Sequence, residues 1–345
     1  MKERKGFEEM IGLFIILIFV LFLPFSVKKV EHNLEIFLFI MGVAAALVSG
    51  MMNLHLIEKA LVDPINITLA VLIAGLITKW AQNPLEKAIL GASKALTPRI
   101  FLALMVIVLG LASSIITAII AAIILVLIVN VLPLERKSEV RFTVIACFSI
   151  GLGAALTPIG EPLSTIVVSK MGADFGYLLR LIGPEVIPTV IVLGLISMFF
   201  VQSKESSDTL GSKQPAETYK EIVIRAAKIY LFVMALTFLG HGFEPLITEY
   251  VIGLSPGLLY WINMISAVLD NATLAAAEVS PSMDGETVRA ILLGLLIAGG
   301  MLIPGNIPNI IAAGKLNITS KEWAVFGLPV GLVIMAVFFV ILFVF

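Results

Sequence analysis

The stretches Leu156-Thr-Pro-Ile-Gly-Glu-Pro162 and Ile303-Pro-Gly-Asn-Ile-Pro308 each interrupt a long apolar segment, 140–171 in the first case and 287–314 in the second. Each segment begins as a membrane helix would. A helix cannot continue undisturbed through two closely spaced prolines, because each proline removes a backbone donor and clashes with the preceding turn. Both segments are therefore predicted to be broken helices. Irregular backbone at membrane depth is tolerated only where protein buries it or where it lines a wet cavity, so two breaks predict an internal polar site.

Composition places the chain in a bilayer. Of its 345 residues, 59% are hydrophobic and 14% are charged, and the mean hydropathy is +1.08. A soluble domain has about 45–50% apolar and about 25% charged residues, so a water-soluble enzyme is excluded. The net charge of −1 gives no indication of a nucleic-acid partner. The single cysteine, Cys147, excludes an internal disulfide and leaves the redox compartment open.

Several apolar segments are long enough to span a bilayer, which takes about 17–25 residues. They are 10–27, 34–52, 64–81, 180–201, 223–240 and 323–344. The first resembles a signal peptide in charge and length, but it lacks the small-residue cleavage pattern and is interpreted as a membrane helix. Two further apolar stretches, 100–133 and 251–280, fit neither one ordinary span nor two, and they are predicted to be re-entrant hairpins.

These elements occur twice in the same order. Each half has a span, a polar or amphipathic stretch, a hairpin, a broken helix and a closing span, and Ser113-Ser-Ile-Ile-Thr-Ala118 falls opposite Ser266-Ala-Val-Leu-Asp-Asn271. A hairpin that leaves on the side it entered gives each half an odd number of crossings, so the second half is inverted. The predicted fold is an all-α polytopic membrane protein, an inverted repeat with two re-entrant hairpins, two broken helices and about 8 full crossings.

The chain is divided accordingly. Residues 1–63 form two N-terminal membrane helices, 64–201 the first inverted repeat, 202–222 a linker rich in Ser, Lys and Gln, and 223–345 the second inverted repeat. Most of the 23 basic residues fall on the linker face under this topology. Since basic residues accumulate on the cytoplasmic side, the linker is predicted to be cytoplasmic and both termini outside. The predicted location is the plasma membrane of a prokaryote, with multiple passes.

Asp270 is the strongest candidate for a functional residue. An aspartate at the centre of a membrane helix costs about 2.5–3.5 kcal/mol, and intramembrane acids usually mark functional sites. Three residues close by in sequence, Ser266, Asn271 and Thr273, add hard oxygen ligands. The structural alternative is that Asp270 caps a helix at the membrane interface.

Glu161 is the second candidate, because it lies in the first break and only uncharged residues precede it from Phe142 onward. The alternative is a loop residue that faces solvent. Hydroxyl residues near the hairpin and the break are weaker candidates, since Ser and Thr in membrane helices often bond to carbonyls of their own helix. They are Ser113, Ser114, Thr117, Thr157, Ser164 and Thr165. Asn306 and Asn309 in the second break offer amide oxygens to a cation, while the half-helix termini supply fixed dipoles.

The sequence contains little evidence for a catalytic motif. Gly253-Leu-Ser-Pro-Gly257 matches G-x-S-x-G, but Pro256 has no N–H to contribute to an oxyanion hole. No H-E-x-x-H motif and no P-loop occur. The protein is therefore predicted not to be an enzyme.

The segments Thr157–Glu161, Ser266–Asn271 and Pro304–Ile311, set in paired halves, resemble motifs of the ion transporter (IT) superfamily. The resemblance covers residues 64–345 and is nearest to NhaD-type sodium/proton antiporters and related cation transporter families. It implies outer helices around two hairpins and two unwound helices, an often dimeric assembly, and an elevator-like alternation. The dicarboxylate transporters of the superfamily carry Ser-Asn-Thr at both sites, which this sequence lacks.

The resemblance also assigns residues. Asp270 and Asn271 match the acid–amide pair of NhaD-type proteins. Glu161 with Ser164 and Thr165 approximates their Gly-Asp-x-Thr-Thr segment, with a glutamate where aspartate is usual and one extra residue before the hydroxyl pair.

The sequence therefore predicts a secondary active transporter that exchanges sodium for protons. Asp270 binds sodium and the proton in competition, with Asn271 and Asn306 as further sodium ligands, and Glu161 is a second titrating or coordinating group. No cofactor is predicted apart from sodium, and the predicted partners are a small inorganic cation, the proton, the lipid bilayer and a second copy of the chain. Three alternatives stay open: a sodium-coupled transporter of a small anion or organic acid, arsenite-type export, and a membrane scaffold.

Overall fold

The computed structural model describes residues 2–31, 33–132, 134–200, 218–250, 254–269, 271–279 and 283–344. It is 86% helical and has no strand in this part of the chain, which confirms the predicted all-α class. The helices before the linker are α1 (Lys2–Ser26), α2 (Lys28–Glu31), α3 (Leu34–Val48), α4 (Leu54–Ala95), α5 (Pro98–Ile116), α6 (Ala118–Val131), α7 (Arg136–Ala154), α8 (Pro162–Met171) and α9 (Tyr177–Phe200). Those after it are α10 (Tyr219–Tyr250), α11 (Pro256–Ile262), α12 (Asn271–Glu278), α13 (Gly285–Met301), α14 (Ile307–Leu316) and α15 (Ser320–Phe343).

Within the part of the chain that the structure describes, four helical segments are long and apolar enough to cross a membrane, namely Pro98–Ile116, Tyr177–Phe200, Tyr219–Ile247 and Ser320–Phe343. Shorter apolar helices cover Glu9–Pro24, Leu34–Val48 and Ala118–Val131. Many of their large apolar side chains are exposed, as in α9 and α15, which in a membrane-embedded protein places them against lipid.

Two aspartates illustrate the expected position of charge outside the spans. Asp174 lies between α8 and α9, and the Arg180 guanidinium donates to its carboxylate at 2.5 Å, which lowers the pKa of Asp174. Asp284 caps the start of α13 by accepting a hydrogen bond from the backbone N–H of Thr287 at 2.7 Å, which lowers the pKa of Asp284. Both carboxylates are therefore ionised at neutral pH, and both lie near the start of a helix.

The first hairpin consists of α5 and α6, and its tip is Thr117. This residue has φ 74°, a backbone conformation that β-branched side chains rarely adopt. Its hydroxyl accepts a hydrogen bond from the N–H of Ile120 at 3.4 Å, and the next N–H, of Ala118, donates to the carbonyl of Gly160 at 2.9 Å. The hairpin therefore turns at a point that is bonded to the first helix break.

The second hairpin consists of α11, a short 3-10 helix (Asn263–Ala267) and α12. Its 3-10 helix and α12 both pack against α13, while α12 also packs against α8 and α10. Asp270, which immediately precedes α12, lies outside the described residues, and so do residues 202–217 of the predicted linker, whose last residues already belong to α10.

Both broken helices occur where the prolines predict them. The helix α7 ends at Ala154 and α8 begins at Pro162, whereas α13 ends at Met301 and α14 begins at Ile307 with Pro308 in its first turn. Proline is favourable at such positions because the first N–H groups of a helix have no intrahelical partner. The residues that precede α8 and α14 have the same extended backbone, with φ −156° and ψ 161° at Glu161 and φ −152° and ψ 146° at Asn306.

The elements that follow the two breaks match in length and detail. Both α8 and α14 have 10 residues, and both end at a left-handed residue, Gly172 with φ 57° and Asn317 with φ 51°. Both α9 and α15 have 24 residues. In four pairs of residues, the first and second member are the same number of positions apart in the sequence. These pairs are Gly160 and Gly305, Glu161 and Asn306, Lys170 and Lys315, and Pro184 and Pro329.

Arg136 joins the two halves at the end of the molecule where α7 begins. Its guanidinium donates to both carboxylate oxygens of Glu322 at 2.8 and 2.9 Å and to Glu139 at 3.0 Å. It also donates to the carbonyls of Leu316 and Asn317 at 2.9 and 2.7 Å. These carbonyls lie at the C-terminal end of α14, where the partial negative charge of the helix favours a cation.

We expect Arg136→Ala to lower the free energy of unfolding by about 2–3 kcal/mol, because hydrogen bonds to charged groups contribute about 1.5–3 kcal/mol and removal of one partner leaves the others unsatisfied. Thermal unfolding in detergent measures the loss. Arg180→Ala is the matched control, since that arginine forms an ion pair with Asp174 in which both side chains are largely exposed. Equal losses in the two variants would contradict the role assigned to Arg136.

Candidate functional site

A cavity of about 420 Å³ lies between the tip of the first hairpin, the first break and the start of α14. Four of the residues predicted to bind ions contribute to its wall. The lining residues are Thr117, Ala118, Ile119, Ile159, Gly160, Glu161, Pro162, Thr165, Ile166, Asn306 and Ile307. The cavity therefore contains oxygen-bearing side chains from both halves of the chain.

The first break positions Glu161 and Thr165. Glu161 immediately precedes α8 and its side chain is buried, at 8% exposure. Thr165 follows one turn later on α8, and its hydroxyl donates to the carbonyl of Pro158 at 2.5 Å, which holds the irregular segment against the helix. The same segment is tied to the first hairpin, because the hydroxyl of Thr157 donates to the carbonyl of Ser114. The carboxylate thus sits on backbone fixed from two sides.

Asn306 brings the second half of the chain to the same cavity. It is buried, precedes α14 as Glu161 precedes α8, and lies against α7: a Cβ added at Gly151 would come within 2.5 Å of its Nδ2. A residue larger than glycine at position 151 would displace this amide. The amide of Asn306 and the carboxylate of Glu161 therefore reach one cavity from opposite breaks.

A second group of predicted residues surrounds Gly299 at the second break. Asn309 is fully buried, and its Nδ2 donates to the carbonyls of Gly299 and Leu302, both at 2.8 Å. Asn271 lies against the same glycine, since a Cβ added there would come within 2.4 Å of the Asn271 Nδ2. The hydroxyl of Ser266 donates to the Asn271 Oδ1 at 2.5 Å. Asn271 follows Asp270 directly, so this cluster adjoins the position of that acid.

The serines of the two hairpins make corresponding contacts. The Ser113 hydroxyl is fully buried and shares its one hydrogen between the carbonyl of Gly110 in its own helix at 2.6 Å and that of Ile150 on α7 at 3.0 Å. The Ser266 hydroxyl likewise shares its hydrogen between the Asn271 Oδ1 and the carbonyl of Leu295 on α13 at 2.9 Å. Ile150 and Leu295 are as many positions apart in the sequence as Glu161 and Asn306. Both serine hydroxyls hold a hairpin against a broken helix.

The remaining predicted residues are distributed as follows. Ser114 donates to the carbonyl of Leu111 within its own helix at 2.7 Å. Ser164 is fully buried on α8, and its hydroxyl has no hydrogen-bond partner in the described part of the chain. The Thr273 side chain lies outside the described residues, as does Asp270.

The cavity combines two kinds of electrostatic feature. The carboxylate of Glu161, the hydroxyl of Thr117 and the amide of Asn306 supply hard oxygen ligands that suit a small cation. The helices α8 and α14 both begin at the wall, and their N-termini carry partial positive charge. Within the described residues there is no group of three His, Cys, Asp or Glu side chains, so nothing there resembles a transition-metal centre.

The sequence reasoning missed two buried acids, Glu35, which forms an ion pair with Lys228 at 2.9 Å, and Glu278. Glu278 ends α12 and is 3% exposed, and its Oε2 accepts a hydrogen bond from Nδ2 of the fully buried Asn263 at 2.9 Å. In the sequence, Glu278 lies near the end of the second hairpin, where a charged residue is expected to reach the membrane surface. The available signal was the run of alanines at 275–277, which favours continuation of the helix as far as Glu278.

A family model described as "Protein of unknown function (DUF1646)" matches residues 10–345. No curated protein matches this chain.

Proposed function

The chain belongs to the family described as protein of unknown function (DUF1646), and we propose that it is a secondary active transporter that exchanges sodium for protons by alternating access. Glu161 binds the cation or a proton in the cavity, and Asp270 does so at the second hairpin. Asn271 and Asn306 supply further oxygens for sodium. The bound ion is cargo rather than a resident cofactor.

The observation that carries this proposal is the meeting of Glu161, Thr117 and Asn306 in one cavity. A carboxylate buried among neutral oxygens can hold either a metal cation or a proton, because each neutralises a charge that burial makes costly. Binding of one excludes the other at the same oxygens. Competition at one site is the minimum that antiport requires.

The matching halves support an inverted repeat with about eight crossings, each long enough or nearly long enough for a bilayer. Arg136 brings the start of α7 to the end of α14, whereas Arg289 near the start of α13 pairs with Glu185 near the start of α9 at 3.2 Å. The first broken helix therefore runs from the Arg136 end to the Arg289 end, and the second runs back. Two antiparallel halves around one site suit a mechanism in which access alternates between the faces.

In this topology, the end of α9 and the start of α10 lie at the Arg136 end, and the start of α1 and the end of α15 lie at the opposite end. We propose that the linker end is cytoplasmic, because most Lys and Arg residues fall there. The membrane in question is then the plasma membrane of a prokaryote.

A second candidate function is sodium-coupled transport of a small anion or organic acid. It is favoured by the N-termini of α8 and α14, which both open into the cavity, since paired helix N-termini stabilise an anion. Under this alternative, Glu161 binds the coupling cation beside the anionic substrate.

Flux measurements in proteoliposomes with a trapped pH-sensitive dye distinguish the two candidates. We expect sodium, and lithium as a second cation, to dissipate an imposed proton gradient faster than in vesicles without protein, while choline has no effect. If no cation dissipates the gradient and citrate or arsenite is instead taken up with sodium, the second candidate replaces the first. If nothing is transported in either assay, the protein is not a transporter of these ions.

A further inference from the structure

The base of the second hairpin contains a buried polar pair that plays no part in the cavity. Asn263 begins the 3-10 helix of one limb and Glu278 ends α12 in the other. They are 0% and 3% exposed, and the Asn263 Nδ2 donates to the Glu278 Oε2 at 2.9 Å. This hydrogen bond joins the two limbs of the hairpin.

Two acceptor atoms of the pair have no partner in the described part of the chain, the Asn263 Oδ1 and the Glu278 Oε1. With an ionised carboxylate, both are acceptors and neither can satisfy the other. With a proton on the Glu278 Oε1, that oxygen becomes a donor and the amide oxygen on the same planar group becomes its acceptor. One proton in this position therefore satisfies both buried oxygens, which otherwise have no hydrogen-bond partner in the described part of the chain.

Among the described residues around Glu278, none forms an ion pair with its carboxylate. From α13, Arg289 is engaged with Glu185 at 3.2 Å, and Glu286 is exposed. From α8, Lys170 donates to the carbonyl of Val279 at 3.2 Å.

On α10, which also packs against α12, His241 contacts Glu244 at 3.3 Å and Lys59 at 3.1 Å, and Glu249 is exposed. On the hairpin itself, Asp270 stands at the other end of α12, outside the described residues. Among the described residues Glu278 forms no ion pair, so Asn263 is the polar side chain that meets its carboxyl group.

The first hairpin lacks this pair. When Ser113 is matched to Ser266, Gly110 and Leu125 stand at the positions of Asn263 and Glu278. Gly110 packs closely on Ser149 of α7, and Leu125 is fully buried. The first hairpin is therefore closed by apolar and backbone contacts that do not titrate, and an acid–amide pair is a feature of the second hairpin.

We infer that Glu278 is a proton-binding site, and that its neutral acid form pairs with Asn263 to lock the base of the second hairpin. Loss of the proton leaves a buried charge and an unpaired amide oxygen, which weakens the contact between the limbs. Proton binding at this pair does not depend on whether the protein transports ions.

Thermal unfolding in detergent, from mildly acidic to alkaline pH, tests this inference with Glu278→Gln. The glutamine amide can donate to the Asn263 Oδ1 and accept from its Nδ2, so it reproduces the protonated pair at every pH. We expect the melting temperature of the wild type to fall by several degrees relative to this variant as the pH rises. Glu286→Gln removes the same charge from an exposed position of α13 and should keep the wild-type profile. Parallel profiles for the wild type and Glu278→Gln would overturn the inference.

Infrared spectroscopy of the wild type tests the protonation of Glu278 even if the Glu278→Gln variant does not fold. A buried, hydrogen-bonded carboxylic acid gives a deuterium-sensitive carbonyl band at neutral pH, and we expect this band to shift to higher frequency in Asn263→Leu. Absence of the band, or a band that Asn263→Leu leaves unchanged, contradicts protonation of Glu278.

The unfolding series is repeated with sodium replaced by choline. Stabilisation of the wild type by sodium at alkaline pH, absent from Glu278→Gln, would assign the two oxygens to a metal cation instead.

Discussion

Glu161→Gln is expected to reduce sodium-dependent proton movement in proteoliposomes to the rate of protein-free vesicles. Glutamine has the shape of glutamate, so it fits beside Pro162 and leaves the bond between Thr165 and Pro158 in place. It carries no negative charge and does not exchange a proton at neutral pH. The cavity then loses the one group among its lining residues that can alternate between a proton and a metal cation.

The fold of Glu161→Gln should be unchanged, because a neutral side chain of equal size replaces a buried carboxylate. We expect its free energy of unfolding to stay within about 1 kcal/mol of the wild type, measured by thermal unfolding in detergent. Glu135→Gln is the control, since Glu135 is an exposed residue just before α7 in the same half of the chain. It should transport at the wild-type rate.

Asp270→Asn, measured in the same flux assay, distinguishes the contribution of Asp270 to transport from that of Glu161. If both acids bind the exchanged ions, either substitution alone abolishes sodium-dependent proton movement. If the rate survives in Glu161→Gln but not in Asp270→Asn, the cavity at the first break is not the transport site. If it survives unchanged in both, the antiport proposal is wrong.

The helix breaks could be predicted from sequence because their cause is local. Pro162 and Pro308 have no N–H to donate and clash with a preceding helical turn, wherever the segment lies in the molecule. The structure starts α8 and α14 with these prolines in the first turn. The hairpin turn at Thr117 followed in part from length alone, since 100–133 is too long for one ordinary span and too short for two.

The distribution of the polar side chains could not be read from sequence, because it depends on distances across the molecule. Ser113 and Thr117 are one helical turn apart, yet Ser113 donates to a carbonyl on α7 while Thr117 lines the cavity. The sequence predicts Asn309 as a cation ligand but not its contacts, in which Nδ2 bridges two carbonyls at the end of α13 and Oδ1 has no hydrogen-bond partner among the described residues.

Glu278 shows the opposite case. In sequence it is a charge near the end of an apolar stretch, and such charges usually reach the membrane surface. Its burial accompanies the packing of α12 against α8, α10 and α13, all of which are distant from Glu278 in sequence. Only the tertiary arrangement distinguishes this acid from a surface one.

Gly153→Ala is expected to lower the free energy of unfolding by about 2–4 kcal/mol, at the upper end of what overpacking costs. A Cβ at Gly153 would lie 1.8 Å from the carbonyl oxygen of Gly110 and 2.5 Å from its carbonyl carbon. Both atoms belong to the backbone of α5, so no side-chain rotation can relieve the overlap. The helices α5 and α7 must therefore move apart.

This separation also changes the site. Ser113 would lie 3.2 Å from the new methyl group, and its bonds to the carbonyls of Gly110 and Ile150 depend on the close approach of the two helices. The tip of the hairpin, with Thr117, then shifts relative to Gly160 and the cavity widens. We therefore expect loss of sodium-dependent proton movement together with a lower melting temperature in detergent.

Gly314→Ala is the matched control for Gly153→Ala. Gly314 lies inside α14, and a Cβ there would meet no atom within 4 Å. Alanine at such a helical position is favoured over glycine by about 0.5–1 kcal/mol, because glycine loses more conformational entropy on folding. The two variants should therefore shift the melting temperature in opposite directions. If Gly153→Ala instead stabilises the protein as Gly314→Ala does, then α5 and α7 are not in direct backbone contact, and the placement of the first hairpin against the first break is wrong.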